Sequence, residues 1–98
     1  MKALELAGYG IYQIEVDNTL EALQTIVGGN IETVPLVPDR AVMIVNEEGL
    51  LLGLEPNLMA TFAAGTDIVG RAIIVGVDCE EFTDVPEEVI RAVCALFT

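Results

Sequence analysis

The sequence predicts an α+β domain: one antiparallel or mixed sheet of about five to six strands, with two main helices packed on one face. Three observations lead there. Short apolar segments separated by turn residues recur through the chain, two of them, Ala41–Val45 and Arg71–Val77, strongly apolar. Only two segments carry a clear helical period. No internal repeat or low-complexity stretch interrupts the pattern. Strands mixed with a few helices in this way give an α+β layer architecture.

Ala3–Leu6 reads as a short strand and Gly8-Tyr9-Gly10 as a turn. Ile11–Val16 alternates, with Tyr12, Ile14 and Val16 on one side and Gln13 and Glu15 on the other. That is a half-buried strand, paired with the first as a hairpin. A helix then starts near Asn18, which can cap it, with Glu21 three residues later able to reach back. Leu20, Leu23, Ile26 and Val27 follow at helical spacing, and Gly28-Gly29 ends the run.

Ile31–Val37 reads as a strand in which Pro35 lacks an amide hydrogen, so it belongs at a sheet edge or Pro35 at its end. Pro38-Asp39-Arg40 turns the chain, and Ala41–Val45 reads as a central strand. Asn46-Glu47-Glu48-Gly49 then reads as a hairpin connection, a type I turn with Gly49 in the left-handed position, and Leu50–Leu54 as the returning strand. Pro56 opens a short helix over Leu58–Ala64. Gly65-Thr66-Asp67 is a loop, and Arg71–Val77 is the second apolar strand. After an acidic loop, the last helix has Pro86 and two glutamates in its first turn. Its stripe is Val89, Ile90, Val93, Leu96 and Phe97.

Ninety-eight residues suit a single domain spanning 1–98. Sixteen acids against four bases give a net charge of −12, divided evenly, with eight acids and two bases in each half. Disorder requires low hydrophobicity as well as charge, and this chain is 53% hydrophobic. The apolar surplus suggests surface covered by a partner, a second copy being one candidate. Lys2, Arg40, Arg71 and Arg91 are too few and scattered to neutralise a phosphate backbone. The expectation is no nucleic-acid binding and, by the same repulsion, no anionic membrane surface. No run approaches a membrane span, and Glu5 interrupts any secretory leader, so a cytoplasmic protein with reduced thiols is expected.

Histidine is absent, which removes Ser-His-Asp and Cys-His catalysis and histidine-ligated zinc. Cys79 and Cys94 are too few and too far apart in sequence for a metal or redox motif. Cys94 sits beside the last helix's stripe, as a small buried hydrophobe would. Gly28-Gly29-Asn30 follows a helix C-terminus, where the dipole is negative, so it is a cap rather than a phosphate loop. Glu47 and Glu48 belong to an exposed turn, not to an acid/base dyad. No enzyme, no metal and no cofactor is expected.

The densest charge is Asp78, Glu80, Glu81, Asp84, Glu87 and Glu88, with no base among them. It reads as a solvated loop and helix start, as a weak calcium site, or as a recognition surface for a basic partner. The calcium reading lacks an EF-hand's alternating oxygens and central glycine, because Phe82 takes a ligand position. Arrayed carboxylates could also imitate DNA phosphates.

Several segments resemble one family. They are Leu20–Glu32 with its Gly28-Gly29, Asn46–Gly49, Leu52–Asn57, Asp67–Gly70 leading to Ile73–Gly76, and Glu81-Phe82-Thr83 before the last helix. In order, they are similar to the domain-of-unknown-function 3846 family over nearly the whole chain. The resemblance implies a small protein of bacteria, phages and mobile elements and brings no established activity. Together the readings favour a non-enzymatic acidic interaction module with a regulatory or counter-defence role, in a bacterial or infected cell. It would bind a protein through Asp78–Glu88 or an apolar patch near Leu50–Leu54. The alternative is a small-ligand binder that sequesters a nucleotide immune signal through Asn57, Thr66, Asp67 and Arg71. An enzyme comes third.

Overall fold

The computed structural model describes residues 1–8 and 10–97. Tyr9, named in the expected Gly8-Tyr9-Gly10 turn, falls outside them. The elements run β1 (Lys2–Ala7), β2 (Gly10–Glu15), α1 (Leu20–Val27), β3 (Ile31–Val37), β4 (Ala41–Asn46), α2 (Leu58–Ala64), β5 (Ala72–Asp78), β6 (Glu81–Thr83) and α3 (Glu87–Ala95). The strands make one open sheet in the order β2–β1–β5–β4–β3. Every pairing is antiparallel. Gly76 of β5 pairs Ala41 on one side and Thr83 on the other, so β6 continues the row of β1. The edge position of β3 accommodates Pro35, and a register shift between Pro35 and Val37 further blunts that edge.

The helices correct the expected architecture. There are three rather than two, and they lie on both faces. Ala60 of α2 and Val89, Ile90 and Val93 of α3 bury Leu4, Leu6, Met43, Val45 and Ile74 on one side. Leu23 and Val27 of α1 bury Ala3, Ile44, Ile73 and Val75 on the other. The cause is the composition of β4 and β5. A strand that is apolar at every position presents apolar side chains to both faces, and each face then needs a cover.

Three local expectations also change. Leu50–Leu54 is not a strand: Val42 and Ile44 of β4 pair β3 on one side and β5 on the other, which leaves no edge for a returning partner. Thr19, not Asn18, caps α1, its hydroxyl accepting from Ala22 N–H at 3.2 Å, while the Asn18 amide donates to the Phe82 carbonyl. The acidic stretch after β5 is not all loop, because Glu81–Thr83 pairs back as β6. The expected C-cap holds: Gly28 has φ 82° and its N–H reaches the Gln24 carbonyl.

Candidate interaction surface

The Asp78–Glu88 run divides into two groups. Asp78 and Glu81 face each other across the β5–β6 hairpin, joined by Cys79 (φ 50°) and Glu80 (φ 70°). Two successive left-handed residues are what a tight type I′ hairpin requires. The side chains of Asp78, Glu80 and Glu81 are exposed and have no basic partner among the described residues. The other three carboxylates are engaged within the domain. Asp84 accepts from the Lys2 backbone N–H at 2.7 Å, Glu87 pairs with Lys2 Nζ at 3.4 Å, and Glu88 pairs with Arg40. Both cysteines are free thiols; Cys79 is exposed and Cys94 packs partly against the core.

The four ligand candidates do not converge on one place. Asn57 is buried, and its amide is fully used: Nδ2 donates to the Leu6 and Gly70 carbonyls, both at 2.8 Å, and Oδ1 accepts from Ala60 N–H at 3.0 Å. Asn57 and Arg71 border a small hollow beside Ala7 and Gly70. Arg71 Nε donates to the buried Glu5 carboxylate, and this hydrogen bond raises the guanidinium pKa above its ordinary value. Thr66 and Asp67 instead line a separate, larger groove.

That groove, about 550 Å³ and open to solvent, has Val34, Val45, Ile68 and Val69 in its lining. It lies at the end of β4 that carries Asn46, opposite the end where β5 and β6 turn. Leu50 and Leu51 form one wall. Their segment follows from its hydrogen bonds. Asn46 is buried and anchors it: Nδ2 donates to the Val27 carbonyl, tying it to the end of α1, and Oδ1 accepts from Glu48 N–H. Leu52 N–H reaches the Glu48 carbonyl, Gly53 N–H that of Leu50, and Leu54 N–H that of Gly49. The last two bonds, with Gly53 at φ 68°, are the Schellman closure of a single helical turn. Gly53, not Gly49, is therefore the left-handed glycine. Gly49 serves close approach, since a Cβ there would lie 2.6 Å from Val69 Cγ2.

A helical turn separates successive side chains by about 100°, so three consecutive leucines cannot share one buried face. Leu54 turns inward against Gly70, whereas Leu50, Leu51 and Leu52 remain 78%, 85% and 58% exposed. Glu32, Glu47, Glu48 and Asp67 line the same groove as Leu50 and Leu51, all exposed and without a basic partner among the described residues. Three adjacent solvated leucines beside a groove lined by carboxylates can bind by apolar contact while selecting for positive charge. An apolar patch near Leu50–Leu54 was expected from sequence. The contribution of Glu32 was not, because it lies far away in sequence and arrives through β3 pairing with β4, Glu32 opposite Val45.

Among the described residues no three Cys, Asp or Glu side chains gather as metal ligands would, and no helix is long and apolar enough to cross a membrane. No curated protein and no solved structure matches the chain. A family model does, over residues 4–98, and the chain belongs to that family, the domain of unknown function DUF3846.

Proposed function

We propose that this domain is a non-enzymatic interaction module of a bacterium, phage or mobile element, one that binds a basic protein partner in the cytoplasm in a regulatory or counter-defence role. The observation that carries the reading is the exposed Leu50–Leu52 turn set among unpaired carboxylates on a chain of net charge −12. Apolar contact supplies affinity in such a surface, and charge supplies partner choice. DNA mimicry draws less support, because three of the six carboxylates of the Asp78–Glu88 run are held by Lys2 and Arg40. A nucleotide would meet an acidic groove rim, a spent Asn57 amide and an arginine bound to Glu5.

Affinity capture from bacterial lysate at low and high salt tests the reading. Retained proteins should be basic and should elute steeply as salt rises. Retention that is indifferent to salt, or confined to acidic proteins, would overturn it.

A further inference from the structure

We propose that the Leu50–Leu52 turn and its groove dock a short polypeptide segment whose apolar side chains are flanked by lysine or arginine. This rests on the reading of the domain as an interaction module and assigns it a surface and an occupant. The apolar part of the argument is the three exposed leucines beside a groove with Val45 and Ile68 in its lining. The charge part is the rim: Glu32, Glu47, Glu48 and Asp67 border the groove, and among the described residues no Lys or Arg does. Arg71, at the same end of the sheet, is bound to Glu5.

An occupant that fills the groove against Leu50 and Leu51 also meets the carboxylates that line it and draws them partly out of water. An uncompensated buried charge is unfavourable, so a neutral apolar segment leaves a penalty in place. An anionic ligand adds to it. A second copy brings its own −12 charge and presents the same acidic rim to this one. A basic amphipathic segment satisfies both demands together. The surface is also held ready, since Asn46 and the Gly53 closure fix the turn in the free domain. Little ordering is needed on binding. Pro35 and the register shift limit strand addition along β3, so recognition runs through side chains rather than by extending the sheet.

The test uses a labelled synthetic peptide with two leucines flanked by lysines and arginines, and a control in which serines replace the leucines. Binding is read by fluorescence anisotropy and mapped by amide NMR shifts. The wild-type domain should bind the leucine peptide at low salt, with shifts at Val34, Glu47–Leu52 and Ile68–Val69. The L50S/L51S variant should lose about tenfold or more, as expected for central apolar anchors. Both substitutions are at exposed positions, and a thermal melt confirms the fold. E47K/E48K should also weaken binding, whereas E80K/E81K, which changes net charge by the same amount at the other end of the sheet, should largely preserve it.

Equal binding of the serine peptide would overturn the proposal in favour of simple charge attraction. Shifts centred on Asp78–Thr83, or no binding at low salt, would also overturn it. A stable dimer of the free domain that L50S/L51S dissociates would give the face to a second copy instead. Salt-sensitive capture of basic lysate proteins that survives L50S/L51S would refute this surface while leaving the wider reading intact.

Discussion

The Asn57 side chain carries three hydrogen bonds and joins three parts of the fold: the end of β1 through the Leu6 carbonyl, the approach to β5 through the Gly70 carbonyl, and the first turn of α2 through Ala60 N–H. Its type and position made it a plausible ligand contact in sequence, but its polar atoms are consumed by the backbone. N57A should lose both the cap and the two carbonyl partners, about 2–4 kcal/mol by urea denaturation. N57D should not rescue it, because a carboxylate can cap α2 but cannot donate to two carbonyl oxygens. A loss below about 0.5 kcal/mol in N57A would show that the network matters little. Two glycines give a sharper contrast. A Cβ at Gly76 would lie 2.3 Å from the Asp84 carbonyl oxygen, and one at Gly49 2.6 Å from Val69 Cγ2. Backbone cannot withdraw, whereas a valine methyl can be removed. G76A should therefore destabilise more than G49A, and adding V69A should recover part of the G49A loss, about 1 kcal/mol, but none of that in G76A. A double-mutant cycle with equal coupling at both sites would contradict this.

Elements were legible in the sequence where the signal is local. The Gly28 cap of α1, the proline of β3, the apolar runs of β4 and β5 and the Val89, Ile90 and Val93 positions of α3 each lie within a few residues, whereas Tyr12 of β2 and Leu96 after α3, expected on covered sides, are exposed. What was lost depends on residues far away. Leu50–Leu54 has a strand's composition, but its fate is set by β3 and β5 occupying both sides of β4. The side on which α1 packs is likewise decided by how the chain crosses the sheet, although the unbroken apolar runs of β4 and β5 already implied two covered faces. The candidate surface shows the same division: its leucines are readable, but their exposure and Glu32 are not. Between elements, Arg71 holds the buried Glu5 of β1 just before β5 begins. Because the hydrogen bond to Glu5 raises the Arg71 pKa, the guanidinium stays charged at neutral pH, and its contribution is lost as pH rises into strong alkali. Removing the arginine is different, since it leaves a buried carboxylate without its cation. R71M should cost about 1–2 kcal/mol at neutral pH, less than a fully buried pair because Arg71 is half exposed. Denaturation in urea at neutral pH showing a loss below about 0.5 kcal/mol would rule this out.

The molecule as a whole holds sixteen acids and four bases within a body 32 × 32 × 22 Å across. Like charges lie close together in places, Glu47 beside Glu48 and Asp78 opposite Glu81, while the attractive pairs among the described residues are few: the Met1 amino group with Glu15, Lys2–Glu87, Arg40–Glu88 and Arg71–Glu5. Salt weakens both kinds of interaction, so the sign of its effect reports which is larger. With sixteen acids against four bases, net repulsion is the expectation, and screening it should stabilise the fold. If sodium chloride recovers about 1 kcal/mol, the melting temperature of a domain this size should rise by about 4–8 °C. A flat or falling melting temperature would mean that the ion pairs dominate. The same ions act oppositely on docking, because they screen the attraction between the Glu32–Asp67 rim and a basic segment. With the leucine peptide present, the melting temperature should exceed that of the free domain at low salt, since a ligand of the native state stabilises it. As salt increases, the free curve should climb while the peptide's increment shrinks, so that the two converge. Parallel curves would mean that peptide binding does not draw on the carboxylates.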